Sequence, residues 1–291
     1  MDVLQHLGAA LAGQWRRYRK LLRRCQRKFS AGAVHNSRIE TRRLLATLEL
    51  AAVFIPERKL KKPRRVLKEH LDAFDQLRDT QVQLGDVEPL RPTVPAAKKF
   101  HRWLRQREVR YIRAARRAVK NVKTRRVGKR IATLEGELRR ERKTTAPDRA
   151  FGMAQGAIGI AFARVTRLGR NVNAADPKTI HRTRIAFKRF RYMVDALSPL
   201  LPTVTDKHRQ AMHDYQSMMG GIQDLKVLPT ALDEFIESEA NTRAAQGLRA
   251  EFVRRREQLI RVYRAATPKL ASFWPPKALS PRPTAGKSKQ S

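Results

Sequence analysis

Cysteine is almost absent from this sequence, because Cys25 is the only one among 291 residues. A single cysteine excludes an internal disulfide and any metal site that requires several thiolates, and it fits a reducing compartment. No apolar stretch approaches the roughly eighteen residues that a membrane-spanning helix needs, and the first residues lack the basic start of a secretory signal. We therefore predict a cytoplasmic protein that does not enter a membrane.

Acidic residues are scarce as well. The chain holds 26 Asp and Glu against 64 Lys and Arg, which gives a formal net charge of +38 and a pI near 11.6. A soluble protein tolerates so large a positive net charge when it is normally bound to a polyanion. Nucleic acid, inorganic polyphosphate and an anionic membrane surface are the candidates that the charge alone allows.

The signatures of catalysis and of metal binding are also missing. The sequence contains no Walker loop, no H-E-x-x-H pair and no cluster of carboxylates suited to Mg²⁺. His208 and His213 are five residues apart, a spacing that does not place two ligands on one helical face. We therefore predict no catalytic residue, no metal ion and no cofactor, and we expect the protein not to be an enzyme.

Helical periodicity, in contrast, runs through most of the chain. Between Val3 and Phe29 the apolar residues recur at steps of three and four, the pattern of a long helix with one buried seam, and later segments repeat it. Proline-rich breaks at residues 89–95 and 146–148 interrupt the periodicity. The pattern predicts an all-α protein whose halves meet at the second break.

This break defines the predicted organisation of the chain. We predict a first helical half at residues 1–145, a second at residues 146–266 and a tail at residues 267–291. The tail has five cations, no acid and no periodicity, so we expect it to be mostly disordered. Within it, Phe273 and Trp274 are expected to dock locally.

One segment of the sequence occurs twice. Residues 30–56 read S-A-G-A-V-H-N-S-R-I-E-T-R-R-L-L-A-T-L-E-L-A-A-V-F-I-P, and residues 176–202 repeat the pattern at a constant offset of 146. The matched pairs are Ser30 with Asp176, His35 with His181, Arg38 with Arg184, Arg42 with Lys188, Arg43 with Arg189, Glu49 with Asp195 and Pro56 with Pro202. Ser and Asp are good N-caps, so each copy is predicted to begin a helix at its first residue.

The repeated helix has two chemically different sides. His35, Arg38 and Arg42 fall within roughly 60° of one another on an α-helix, with Arg43 at the edge of their stripe. The apolar residues lie on the opposite side and can face a core. Cations at helical spacing repel one another, so an unpaired row of them suits an anion with several charges, and a row of phosphates fits best. Glu49 and its counterpart are expected to be structural carboxylates at one end of the row.

Each histidine motif is followed, about forty residues later, by a short motif that contains an aspartate. L-R-D-T-Q-V contains Asp79 and I-Q-D-L-K-V contains Asp224, and the two motifs correspond at an offset of 145. An isolated aspartate near a helix end is most often an N-cap or the partner of an arginine. We expect one of these roles and give an acid/base role little weight.

The first helix carries further cations that point away from its apolar seam. The simplest interpretation is a solvated basic face. The alternative, which we adopt, is that this helix extends the anion-binding row through Arg23, Arg24 and Arg27.

The sequences H-N-S-R-I-E-T-R-R-L and H-R-T-R-I-A-F-K-R-F, each followed by its aspartate motif, resemble the CHAD family, the conserved histidine α-helical domain. The resemblance covers roughly residues 1–265 and is specific, because it needs an ordered pair of motifs that occurs twice. It implies two antiparallel four-helix bundles related by a pseudo-twofold axis, with a basic central groove that binds inorganic polyphosphate and no catalytic site. The residues to which it assigns phosphate binding are His35, Arg38, Arg42, Arg43, His181, Arg184, Lys188 and Arg189.

The sequence departs from the family pattern at a few positions. Asn36 and Arg182 stand where an acid is frequent, and Asp75 stands where a glycine is frequent before the first aspartate motif. The second motif does have its glycines, Gly220 and Gly221. No triphosphate-cleaving tunnel domain, which some family members carry, precedes the helices here, so triphosphate hydrolysis is not implied.

Two alternative functions stay open at this point. The charge would also suit a sequence-independent nucleic-acid binder, although no zinc knuckle, RRM signature, KH-type loop or aromatic platform accompanies the cationic face. A phosphotransferase with His35 or His181 as nucleophile has less support.

If an anion does bind, both histidines should have a lowered pKa in the empty site and a raised one in the occupied site. The resemblance to the family also implies that the protein is located at polyphosphate granules and has polyphosphate-metabolising enzymes as possible partners.

Overall fold

A computed structural model of the chain describes residues 2–120, 124–173, 176–239 and 242–275. Within these residues the chain forms ten α-helices, three short 3-10 helices and no strand, which confirms the all-α prediction. No described helix combines the length and the apolar character needed to cross a membrane. The α-helices are α1 (Val3–Arg27), α2 (Ala31–Ala51), α3 (Glu57–Asp72), α4 (Asp75–Val87), α5 (Pro95–Lys120), α6 (Thr124–Glu141), α7 (Pro147–Arg170), α8 (Pro177–Leu197), α9 (Asp206–Glu239) and α10 (Thr242–Ala266), and the 3-10 helices span Glu88–Leu90, Ser198–Leu200 and Thr267–Phe273.

The two histidine helices, α2 and α8, begin with the predicted caps. The hydroxyl of Ser30 accepts a hydrogen bond from the backbone N–H of Ala33 at 3.4 Å, and the carboxylate of Asp176 accepts one from Lys178 at 2.9 Å. A side-chain cap of this kind contributes about 1 kcal/mol to a helix. Because the caps occupy matching positions, the two copies of the motif start their helices in the same register.

The larger of two hydrophobic clusters joins α1, α2, α3 and α6 to α7, α8 and the first part of α9. In α2 the apolar residues Val34, Leu44 and Leu48 are fully buried in this cluster, so the opposite, cationic side of the helix is free to face elsewhere. The predicted seam of α1 is buried as well, at Leu4, Leu7, Leu11, Trp15, Tyr18, Leu22 and Cys25.

The second cluster joins α4 and α5 to the later part of α9 and to α10. Phe100 of α5 lies with its ring centre 5.4 Å from that of Phe235 in α9 and 6.5 Å from that of Phe252 in α10. The predicted boundary between the halves falls in the loop between α6 and α7, and this cluster contains helices from both sides of it. The division into two bundles with a pseudo-twofold axis stays a prediction.

The two halves differ where the aspartate motifs lie. In the first half the chain is broken, because α3 ends at Asp72 and α4 begins at Asp75. In the second half α9 runs without a break through the corresponding positions, which include Gly220. The break exposes helix-end groups in the first half that the second half lacks.

The start of the predicted tail is folded. Residues Thr267–Phe273 form a 3-10 helix in which Leu270 and Phe273 are buried, so the prediction of disorder is wrong for this segment. A Cβ atom at Gly169 of α7 would lie 2.7 Å from Cδ2 of Leu270, so a larger residue there would have to displace the leucine side chain. Trp274 packs edge-on against Phe190, as the expected local docking requires. Residues 276–291 lie outside the described part of the chain.

Replacing Phe273 by alanine should measure how firmly this segment is docked. The ring lies 5.5 Å from Phe187 and 5.4 Å from Tyr215, so we expect Phe273→Ala to lower the free energy of unfolding by about 3 kcal/mol in urea titrations. The exposed neighbour Ser272 provides the control, because Ser272→Ala should change stability by less than about 0.5 kcal/mol. Equal effects of the two substitutions would contradict a docked segment.

Candidate functional site

Helices α2 and α8 pack against each other and bring the two cationic stripes together, with α4 and α9 alongside. The electrostatic environment of Lys188 in α8 shows the result, because Arg42 and Arg38 of α2 and Arg184 of its own helix all lower its pKa. The stripes therefore face a shared region. We call the following residues the central cluster: His35, Arg38, Arg42, Arg78, His181, Arg184 and Lys188.

Lys188 cannot easily hold its charge in this environment. Burial is the main cause, and together with the charges of Arg42 and Arg184 it lowers the pKa of Lys188 to about 6. In the empty protein at neutral pH, the amine is therefore mostly uncharged. A nearby anion would restore the ammonium form.

The matching residue of the first copy, Arg42, behaves differently. Burial and then the charge of Arg38 lower the pKa of Arg42 to about 10, which still leaves the guanidinium protonated at neutral pH. Arg42 is thus a permanent charge whereas Lys188 is a conditional one. The two positions correspond in the repeat but are not interchangeable.

Both histidines of the cluster have a pKa below the ordinary value. At His35 the main cause is partial desolvation, followed by the charges of Arg78 and Arg42. At His181 desolvation again comes first and the charge of Arg184 second. The predicted direction of the shift is confirmed, but removal from water contributes more than any single neighbouring cation does.

Arg38 is buried and already bonded to the protein. Its side chain is 8% exposed, its Nη1 donates to the carbonyl oxygen of Leu71 at 2.6 Å, and its Nη2 lies 2.6 Å from a carboxylate oxygen of Asp75. Leu71 lies near the end of α3 and Asp75 starts α4, so the guanidinium bridges the break between these helices. Protein groups therefore engage the donors that were predicted to contact phosphate.

Arg43 and Arg189 lie beside the central cluster. Nη1 of Arg43 is 3.3 Å from a carboxylate oxygen of Glu40, and Arg189 forms an ion pair with Glu49 of α2. Neither charge is among the main causes that lower the pKa of Lys188 or of His35. Glu49 has the predicted structural role, since it links the two histidine helices, and the phosphate-binding role of the two arginines stays a prediction.

The predicted extension of the row along α1 is not part of the central cluster. Arg23, Arg24 and Arg27 are exposed, and their charges are not among those that shift the pKa of Lys188 or His35. Their contact with an anion stays a prediction.

Carboxylates border the cluster on the side of α4 and α9. Desolvation raises the pKa of Asp79, of Asp224 and of Asp86, the last to about 6. Asp79 lies inside α4 and Asp224 inside α9, so the N-cap interpretation is wrong for both. The charges of Arg184 and Arg78 act on both residues in the opposite direction and favour the ionised form, as expected of arginine partners.

Three residues near the histidines were not predicted as site residues. Arg78 of α4 lowers the pKa of His35, while Gln223 and Lys226 of α9 act on His181. The available signal was their position, because Arg78 and Gln223 each stand immediately before the aspartate of their motif. Each aspartate motif thus supplies both a carboxylate and, one residue earlier, a side chain that acts on the histidine of the same half of the chain.

The cluster is suited to an anion. Nε of Arg184 and Nδ1 of His181 are buried and have no hydrogen-bond partner among the described residues. A buried polar group without a partner costs about 1–3 kcal/mol, which an anion with several oxygen atoms would offset. Within the described ranges, no group of three or more His, Cys, Asp or Glu side chains is arranged to hold a metal ion.

Comparisons with known proteins identify a matching family and two solved structures of similar fold. The family model of the CHAD domain matches residues 7–233. The crystal structure of the CHAD domain from the plant Ricinus communis is similar with a TM-score of 0.62 and 16% identity, over 94% of this chain and 90% of that one. PptA from Streptomyces chartreusis is similar with a TM-score of 0.69 and 14% identity, over 94% of this chain and 100% of that one. No curated protein matches the chain.

Proposed function

The chain belongs to the CHAD domain family, which is linked to polyphosphate binding, and from this premise we propose that it binds inorganic polyphosphate in the central cluster. The ligand is a linear polymer with about one negative charge on each internal phosphate. Its repeated charges match two cationic helices that face a common region. We propose a binding function without chemical change of the polymer.

The observation that carries this proposal is the shift of Lys188 toward the neutral amine, caused by its burial beside Arg42 and Arg184. Three basic groups held together in a partly buried site cannot all keep their charge without a cost in free energy, and Lys188 responds by giving up its proton. None of the three forms an ion pair with a carboxylate within the described residues. A polyanion would supply the missing charge. The same cations that make the empty site unfavourable therefore make it a strong receptor for phosphate.

The individual side chains would act on the polymer in different ways. The planar guanidinium of Arg184 or of Arg42 can donate two parallel hydrogen bonds to one phosphate, whereas Lys188 contributes a point charge. His35 and His181 add N–H donors and, when protonated, a further charge. A chain of phosphates can use all of these donors, while a single phosphate reaches only some of them.

Sequence-independent nucleic-acid binding is the alternative that the charge allows. Binding of single strands gains much of its strength from bases that stack on exposed aromatic rings. The aromatic ring near Arg42 belongs to Tyr192, which is 6% exposed and cannot serve as such a platform. Nucleic acid would therefore interact through its backbone phosphates, with strongly salt-dependent affinity.

A competition experiment separates these two ligands. We expect long-chain polyphosphate to displace a fluorescent DNA duplex from the protein at an equal or lower concentration of phosphate groups. The arginine and lysine side chains of the central cluster are at least partly buried, and a flexible chain reaches such groups more readily than a rigid duplex does. Anisotropy of the labelled duplex at constant ionic strength measures the displacement. If duplex DNA displaces labelled polyphosphate as readily as the reverse, the protein is a general polyanion binder and the proposal fails.

The same preparation tests the absence of catalysis. We propose that incubation with polyphosphate and Mg²⁺ releases no more orthophosphate than a sample without protein. Release that disappears in a His35→Gln or His181→Gln variant would instead establish a phosphotransfer or hydrolysis reaction that uses these histidines.

Polyphosphate granules are the proposed location, because a protein that holds the polymer concentrates where the polymer is stored. Enzymes that make or degrade polyphosphate are, by the same reasoning, the proposed neighbours.

A further inference from the structure

The first arginine after the histidine, Arg38 in one copy of the motif and Arg184 in the other, has different partners in the two copies. In the first copy, Arg38 donates to the carbonyl of Leu71 and forms an ion pair with Asp75. In the second copy, Arg184 has no ion pair and no hydrogen bond among the described residues, and its Nε is buried without a partner. The arginine of the first copy is therefore bonded to protein groups, whereas the corresponding arginine of the second copy has its donors available for a ligand.

The difference has a local cause in the chain. The offset of 145 that relates the aspartate motifs carries Asp75 to Gly220, so the second copy has no carboxylate at this position. A Cβ atom at Gly220 would lie 3.9 Å from Nε of Arg184, which places the arginine directly against this part of α9. Because α9 is unbroken there, it also lacks the helix end at which Leu71 offers its carbonyl.

The surroundings of Arg184 favour a ligand over an internal partner. The charge of Arg184 lowers the pKa of Asp224 and of Asp79, but neither carboxylate forms an ion pair with it in the described structure. His181, one helical turn earlier, has a second buried polar atom without a partner. Lys188, one turn later, carries little positive charge until an anion arrives. Three side chains on one face of α8 can thus donate hydrogen bonds to an anionic group such as a phosphate.

Building on the proposed function, we infer that Arg184, His181 and Lys188 form the principal anchoring site for one phosphate group of the polymer, and that Asp75 closes the equivalent site of the first copy by holding Arg38. The first copy then contributes to the binding affinity mainly through Arg42 and through the electrostatic attraction of its positive charges for the polymer. Polyphosphate binding is in this way unequal between two helices that the sequence makes look equivalent.

Neutral substitutions of the two arginines test the inequality. We expect Arg184→Gln to weaken binding of long-chain polyphosphate at least ten-fold with little change in Tm. Arg38→Gln removes the bridge between α3 and α4, so it should lower Tm and weaken binding by less than about three-fold. Titrations are made well below the Tm of both variants, so that only folded protein is compared.

The Asp75→Asn variant provides the opposite change. It breaks the ion pair with Arg38, frees the guanidinium for phosphate, and should strengthen binding about three- to ten-fold. Asp72→Asn is the matched control, because it removes the same charge from an exposed residue less than one turn away that has no ion pair in the described structure. We expect the control to change affinity less than two-fold, as a surface charge outside the site does.

A double variant distinguishes release of Arg38 from a general change in charge. In the Arg38→Gln background, Asp75→Asn should no longer strengthen binding. If the gain persists there, or if Arg38→Gln and Arg184→Gln weaken binding equally, the inference is wrong while the proposed function stands. If the wild-type protein does not prefer polyphosphate to duplex DNA, the proposed function itself is wrong.

Discussion

Raising the pH from about 6 to about 8 is expected to weaken the binding of polyphosphate by up to about 100-fold, because the central cluster takes up a proton when the anion enters. Burial and neighbouring arginines hold the pKa of Lys188 at about 6 in the empty site. A phosphate beside the amine favours the ammonium form and moves its pKa back toward the ordinary value near 10.

The sign follows from counting protons. Between the pKa of the empty site and that of the occupied site, the complex holds one proton more than the free protein. Each pH unit in this range therefore lowers the association constant about ten-fold for a single coupled group. His35 and His181, whose pKa values are also lowered in the empty site, act in the same direction.

The measurement needs a variant that keeps the charge but does not titrate. Lys188→Arg serves this purpose, because a guanidinium remains protonated throughout the range. We expect this variant to bind more tightly than the wild type at pH 8 and to lose most of the pH dependence. Titrations with long chains at constant ionic strength minimise the contribution of terminal phosphates, which themselves titrate near neutrality. A wild-type slope equal to that of Lys188→Arg would show that this lysine is not the coupled group.

The sequence predicts well the features that depend on local signals. The caps at Ser30 and Asp176 and the buried seam of α1 follow from residue type and helical spacing, and the structure confirms them. The meeting of His35 and Lys188 in one region also follows from the repeat, because two copies of an amphipathic helix that bury their apolar sides in one core can pack with their polar stripes adjacent.

The partners of individual cations could not be predicted in the same way. Whether Arg38 or Arg184 is available for a ligand depends on Asp75 and Gly220, which stand more than thirty residues further along the chain and meet the arginines only after folding. The same holds for Arg189, whose partner Glu49 lies on the other histidine helix. The partner of Arg43, in contrast, is Glu40 of the same helix, three residues earlier, a pairing that helical spacing can reveal.

The folded start of the tail was missed for a related reason. The segment lacks periodicity, and its order comes from the insertion of Leu270 and Phe273 between helices that lie far away in the sequence. A periodic pattern reports burial against one continuous core face, whereas two isolated anchors in a short 3-10 helix leave no such pattern.

Replacing Arg42 and Lys188 together by methionine should abolish high-affinity binding and at the same time stabilise the empty protein. Both side chains are substantially buried, and the positive charge of each lowers the pKa of His35. Methionine has a similar length and fills irregular space without a charge. Since hydrophobic replacement of buried ionic groups often stabilises a protein by about 1–4 kcal/mol, we expect Tm to rise.

The loss of binding and the gain of stability have one cause. In the empty wild-type protein, burial beside Arg42 makes Lys188 give up its proton on folding, which costs free energy, and an anion restores the charge. Removal of both side chains therefore removes the cost together with the affinity. We expect polyphosphate binding to fall at least about 100-fold, which corresponds to about 2.7 kcal/mol. Added polyphosphate, which raises the Tm of the wild type by mass action, should no longer do so through this site.

A matched variant decides whether the effect belongs to the central cluster or to net charge. Arg110→Met with Arg113→Met removes two exposed cations of α5 that form no ion pair in the described structure. This control should leave Tm within about 2 °C of the wild type and reduce affinity only slightly. The gain of stability should also shrink as the pH rises from 6 toward 9, because the proton that Lys188 releases when the wild type folds is released at a lower cost in free energy at higher pH. A double variant that is less stable than the wild type at pH 6 would mean that these cations support the fold, and the link between their repulsion and phosphate binding would be lost.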